Sequence, residues 1–157
     1  MRKGKPLASR ASIGMVAKYV PGDPYNYMNE LHSSPHQRRL IAEIIAAYDT
    51  ELIVLDGVEA FVTGGPEAGK IVDANVILAS NDRVAIDAVG VAILRHFGTT
   101  PEVSRGAIFE QEQIARAVEL GLGVSNPRQI VLVSDDSESA EYAKHIRSIL
   151  DGEPSHP

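Results

Sequence analysis

One stretch limits the folds open to this chain more than any other. Residues 84–94 read Val-Ala-Ile-Asp-Ala-Val-Gly-Val-Ala-Ile-Leu, and Asp87 is the single charged side chain among them. Asn81 or Ser80 can act as N-cap, Asp82 puts an acid in the first turn, and Gly98 supplies a stop after Phe97. A helix over 82–97 is therefore expected, with almost no polar face. A helix that is apolar all round must be covered all round. The chain has to build a layered domain, with a sheet against one side of this helix and further helices against the other. The longest run without a polar side chain, Ala88 to Leu94, falls far short of the roughly 20 residues of a membrane-spanning helix.

The flanking sequence supplies such layers. Ser12 to Val20 reads as a short strand, followed by the turn cluster Pro21-Gly22-Asp23-Pro24 and a loop through Tyr25–Asn29. Ser34 and Pro35 suit the start of a helix over 35–48, in which Leu40, Ile41, Ile44, Ile45 and Tyr48 recur at helical spacing. Glu51 to Asp56 is a short apolar strand closed by Asp56-Gly57, and Ile71 to Ala79 is a second, Val/Ile-rich strand. The link between them, with Gly64, Gly65, Pro66 and Gly69, holds no helix, so the pair reads as antiparallel. A helix over 109–120, a buried strand over Gln129–Val133 and a polar surface helix over 138–150 complete the pattern. The expected fold is α/β: a small mixed sheet of three to five strands with helices packed on it, in one domain over residues 1–157 with loose ends at 1–11 and 151–157.

Charge and composition narrow the function. The 157 residues carry 15 basic and 21 acidic side chains, a net charge of -6, which argues against a nucleic-acid partner. The distribution is uneven: residues 1–50 hold 7 basic and 4 acidic side chains, residues 51–157 hold 8 and 17. With no cysteine, disulfides, thiolate nucleophiles and any iron–sulfur cluster held by this chain are excluded. Arg2, Lys3 and Lys5 have no apolar stretch behind them, so no signal peptide is read, no membrane partner is expected, and the cytoplasm is the expected compartment.

Several residues invite chemical readings. Gly64-Gly-Pro-Glu-Ala-Gly69-Lys70 has the glycine spacing and lysine of a phosphate loop, but Ile71 replaces the metal-binding hydroxyl and a strand follows instead of a helix. It reads better as a connection between strands. Asp87, inside the apolar helix, needs a partner, and Arg83 one turn earlier is the obvious one. Asp56 ends a strand and Asp82 starts a helix, the places where ligands gather in open α/β sheets; the plainer readings are a turn and a helix-end acid. His32 and His36 have helical spacing with Pro35 between them, and His96 sits at a helix end where a cation is favourable.

The run Leu55-Asp-Gly-Val-Glu-Ala-Phe-Val-Thr-Gly-Gly-Pro-Glu-Ala-Gly69 resembles the signature of the family called domain of unknown function 362. So does Asn75-Val-Ile-Leu-Ala-Ser-Asn-Asp-Arg-Val-Ala-Ile-Asp87, with Ala117 to Gly123 as a closing segment. The matching positions are Asp56, Gly57, Gly65, Pro66, Gly69, Asn75, Ser80, Asp82, Ala85 and Asp87, and His32 resembles the histidine that precedes the block. The resemblance spans roughly residues 12–133 and implies no established general activity. Many members carry a separate ferredoxin-like module, which a chain without cysteine cannot supply. It also implies a missing N-terminal half, so the chain is expected to be a truncated member resembling the C-terminal half.

Two functions follow as expectations. One is an enzyme or ligand-binding domain whose carboxylate-lined site uses Asp56, Gly57, Gly64, Gly65, Gly69, Asn75, Asp82 and Asp87. Asp82, Asp87 and His32 would then suit a hard divalent cation, magnesium, manganese or calcium. The other is a non-catalytic interaction or scaffold domain. In either case the apolar helix and the open sheet edges lead to the expectation of a homo-oligomer.

Overall fold

Apolar residues in alternation, split by the glycine-rich connection, form an antiparallel pair in the computed structural model, which describes residues 21–64 and 68–152. Strand β1 is Ile53–Phe61 and strand β2 is Ile71–Ser80. Leu55, Ala60 and Ala74 turn inward, whereas Val54, Val58 and Ile77 stay exposed on the other face. The helices are α1 Tyr27–Ser33, α2 Gln37–Ile45, α3 Arg83–His96, α4 Pro101–Ser104, α5 Glu112–Glu119 and α6 Ser137–Leu150, with single 3-10 turns at Ile108–Glu110 and Pro127–Gln129.

The apolar segment forms α3, as expected, and every residue from Val84 to Leu94 is buried. The two strands lie against one side of α3, and α5 and α6 against others. Gly90 faces β1, where a Cβ would stand 3.5 Å from the Leu55 side chain, an ordinary contact. Ile108, Ile114, Ile146, Ile149 and Leu150 close the core around it. A smaller cluster of Leu31, Ile41 and Ile45 joins α1 to α2. Arg116 of α5 reaches Glu43 of α2 at 2.8 Å and Glu119 at 2.9 Å, pinning those helices at their exposed rim.

Four expectations need correction. Among the described residues the sheet has two strands, not three to five. The missing strand is the one expected over 129–133. There Arg147 of α6 donates to the Ile130 carbonyl, a group that a ladder would use, while just before the segment the Gln129 side-chain oxygen accepts from the Ser125 and Asn126 amides and Arg147 donates to the Pro127 carbonyl. Ile130 is buried while Val131 and Val133 are 79% and 88% exposed. Second, Tyr27–Ser33 is a helix where a loop was expected through residue 29. Asn26 caps it by accepting the Asn29 amide at 2.9 Å, and Pro35 separates it from α2, whose N-cap is His36. Third, Asp56-Gly57 does not end its strand, which continues to Phe61. Fourth, the cap of α3 is Asp82 itself rather than Asn81 or Ser80. The strand expected over 12–20 and the loose ends at 1–11 and 153–157 lie outside the described residues.

Candidate functional site

Three of the candidate residues meet at one irregularity of the sheet. Between the pairs Gly57–Val76 and Glu59–Asp73, Ala74 and Asn75 of β2 oppose Val58 alone, which is a β-bulge. Asn75 takes φ 50, a left-handed conformation that asparagine tolerates better than most side chains. The Val58 amide donates to Asp56 Oδ1 at 3.1 Å. Gly57 has to lack a side chain, because a Cβ would stand 2.9 Å from Val76 Cγ1 and 3.1 Å from its carbonyl oxygen. Asp56, Gly57 and Asn75 thus shape the backbone. Gly64 plays a similar part at the neck of the next connection: it has φ 70, and its Cβ would stand 2.9 Å from Gly69 Cα. Gly65 lies outside the described residues.

Asp82 occupies both of its oxygens with backbone. Oδ1 accepts the Ala85 amide at 2.7 Å, capping α3, and Oδ2 accepts the Val124 amide at 2.8 Å, tying in the segment after α5. Ser80 Oγ in turn accepts the Asp82 amide at 2.9 Å. Gly123 leaves the room for this clamp, since a Cβ there would press on the Asp82 carboxylate, 2.8 Å from Cγ.

Asp87 points elsewhere. It is 6% exposed and borders a small cavity of about 10 Å³, roughly one water in size, with Gln113, Ile45 and Leu122 among its walls. Arg83, its expected partner, donates to the Ile45 carbonyl at 2.5 Å, pairs with Asp49 at 3.6 Å and lies over the Tyr48 ring. The guanidinium therefore closes the C-terminal end of α2. Gln113 is 2% exposed and neither amide atom has a hydrogen-bond partner among the described residues. His32 lies at the end of α1, with Nδ1 3.2 Å from Gln37 Nε2. It does not share a helix with His36. The described residues contain no group of three or more His, Asp or Glu side chains placed to hold a metal ion.

Two further features could serve as sites. The first is a cleft of about 310 Å³ beside the carboxyl end of β2, where the sequence placed Asp82 as a candidate. Leu78, Ser80, Asn81, Asp82, Gln129, Ile130 and Leu132 border it, and Ala85, Ile86 and Val89 of α3 also line it. The second is a ring cluster between α3 and α6. His96 stands 4.7 Å from His145 and 5.8 Å from Tyr142, centroid to centroid. His96 Nδ1, His145 Nε2 and Tyr142 OH are shut off from solvent without a hydrogen-bond partner among the described residues. Burial, reinforced by the neighbouring His145, pushes the His96 pKa down, and burial pushes Tyr142 up. The helix end expected to favour a charged His96 is thus outweighed by desolvation. The Tyr142-x-x-His145 spacing, one turn on a helix, is the signal that could have been noticed.

Fold and site together define a mixed α/β domain whose most distinctive polar residues hold backbone in place. A family model described as Domain of unknown function (DUF362) matches residues 7–92. The chain belongs to that family. The match contains both halves of the signature from Asp56 to Asp87, and the closing 117–123 segment lies beyond it. Comparison with curated proteins and with solved structures finds no match. Among the described residues, no helix is long and apolar enough to cross a membrane.

Proposed function

We propose that this domain is a non-catalytic interaction module that takes an extended polypeptide segment beside β2. The observation that carries this reading is the cleft between β2 and residues 129–132, bordered by two stretches of extended chain and lined by α3. Val131, which borders it, is 79% exposed, and on the outer face of the sheet Ile77, at 67%, and Val54 are exposed as well, with Leu52 exposed just before β1. An exposed sheet edge with alternating apolar side chains suits strand addition, in which backbone groups supply affinity and side chains supply selectivity.

The partner's chemistry follows from charge. Glu59 and Asp73 sit directly opposite each other across the strands, and Asp56 is exposed on the same sheet. Like charges placed this way are unfavourable until a cation lies near them. The fitting occupant is a segment that alternates apolar residues with lysine or arginine. Association of two copies of this chain, and a small polar ligand held by Ser80, Asn81 and Gln129 at the strand's carboxyl end, are the competing occupants.

Nuclear magnetic resonance titration with nine-residue peptides tests the reading. A Val/Lys alternating peptide is expected to shift the amides of 77–81 and 129–132, and a Val/Glu peptide is not. Ile77→Lys with Val131→Lys, both exposed and so tolerated by the fold, is expected to abolish the shifts. No shift with either peptide overturns strand addition. Concentration-dependent dimerisation by light scattering that the double variant removes assigns the surface to a second copy instead.

A further inference from the structure

We propose that His96, His145 and Tyr142 form a binding site for a borderline divalent transition metal, such as zinc, nickel or copper. This site is separate from the cleft and does not depend on the interaction reading. It lies where the C-terminal end of α3 packs on α6.

Three observations converge on it. First, each of the three side chains presents a polar atom, Nδ1 of His96, Nε2 of His145 and the Tyr142 hydroxyl, that is closed to solvent and has no hydrogen-bond partner among the described residues. Buried polar atoms are nearly always satisfied, so three in one cluster call for a common partner. Second, the spacing suits a metal. Two imidazoles that each bind one cation through a single nitrogen at about 2 Å have centroids roughly 4.5–5.5 Å apart. His96 and His145 stand 4.7 Å apart with their planes at 71°, and Tyr142 stands at 5.8 Å from His96.

Third, the donor set suits a borderline ion. Two nitrogens and a phenol oxygen select zinc, nickel or copper over magnesium or calcium, which prefer oxygen alone. If Tyr142 binds as phenolate, its hydroxyl proton leaves to solvent, so metal uptake acidifies an unbuffered solution. The part-exposed rings leave a route in from the surface.

The test is calorimetric titration and thermal unfolding of the full chain with zinc, nickel and copper, with magnesium and calcium as controls. The expected result is one equivalent bound and a raised melting temperature for the first three ions, and neither for the controls. Binding is expected to weaken as pH falls below the ordinary imidazole value of 6.5, because protons compete for the same nitrogens. His145→Ala is expected to lower affinity tenfold or more. Tyr142→Phe keeps the ring and both histidines and is expected to weaken binding by a smaller factor while removing the tyrosinate–copper absorption band. His36→Ala, at the start of α2, is expected to change nothing. Should His145→Ala fail to fold, Tyr142→Phe and the histidine ring proton shifts on adding zinc give the same answer. No binding by any of the three ions, or binding that survives both His145→Ala and Tyr142→Phe, overturns the proposal.

Discussion

Removing the Asp82 carboxylate separates a structural role from a ligand-binding one. In the structure one oxygen caps α3 through the Ala85 amide at 2.7 Å and the other holds the Val124 amide at 2.8 Å. Losing a helix N-cap costs about 1 kcal/mol, and losing a hydrogen bond to a charged group costs about 1.5–3 kcal/mol. Asp82→Ala is therefore expected to destabilise the fold by about 3 kcal/mol, read as a lower urea midpoint with an unchanged slope. Asp82→Asn, which still caps well, is expected to cost less. Gly123 provides the internal control. Its Cβ would stand 2.8 Å from Asp82 Cγ and 2.9 Å from Oδ2, so Gly123→Ala alone is expected to cost about 1–3 kcal/mol through crowding. In the Asp82→Ala background that obstacle is gone, and the same change is expected to cost less than about 0.5 kcal/mol. An Asp82→Ala cost under about 1 kcal/mol, or equal Gly123→Ala costs in both backgrounds, would refute the clamp.

At the bulge, Asn75→Gly is expected to be near neutral and Asn75→Val to cost about 1–2 kcal/mol, because φ 50 strains a branched side chain; equal urea midpoints for the two variants would contradict this. Asp87→Ala is expected to cost about 3–5 kcal/mol, as for other buried charges whose surroundings are built around them, and a shift below about 0.5 kcal/mol would speak against a structural Asp87. Because His96 is harder to protonate folded than unfolded, the unfolded chain binds more protons below the ordinary imidazole value of 6.5. Stability is thus complete above that range and declines as pH falls through it. His96→Phe is expected to flatten the decline, and melting temperatures at pH 8, 6 and 5 measure it.

The elements that local sequence decides were legible, and those decided by distant side chains were not. Helix α3 was legible because eleven buried residues in a row leave only one environment for it. The antiparallel β1–β2 pair followed from a connection too short and glycine-rich for a helix. Residues 130–133 have the apolar composition of a strand, but Arg147, on a helix many residues later, takes the carbonyls of Pro127 and Ile130. Helix α1 depends on the Asn26 cap and buries only Leu31, so hydrophobic periodicity had little to detect. Asp56-Gly57 reads equally as a turn or a bulge. What decides is the left-handed Asn75 on the opposite strand, which no local pattern around Asp56 reports.

The same distinction governs how a motif of aspartates and glycines is to be read. Carboxylates beside glycines suggest a ligand pocket when only composition is visible. In this chain two glycines stand where a Cβ would press on the groups that the asparagine and aspartate organise: Gly57 against Val76 at the bulge, and Gly123 against Asp82 at the clamp. Asp56 and Asp82 accept three backbone amides between them. Acceptors already engaged in this way have less capacity for a ligand, and displacing them would undo the bulge or unclamp α3. Among the described residues, the buried side-chain atoms without a partner include those of Gln113, which borders the same cavity as Asp87, and those of the His96–Tyr142–His145 cluster outside the motif. Exposed apolar side chains lie both in the motif, at Ile77, and outside it, at Val131 and Val133. In this domain the aspartates and glycines of the motif fix the scaffold, while the cleft beside them is bordered both by motif residues such as Ser80 and Asn81 and by residues 129–132 outside it.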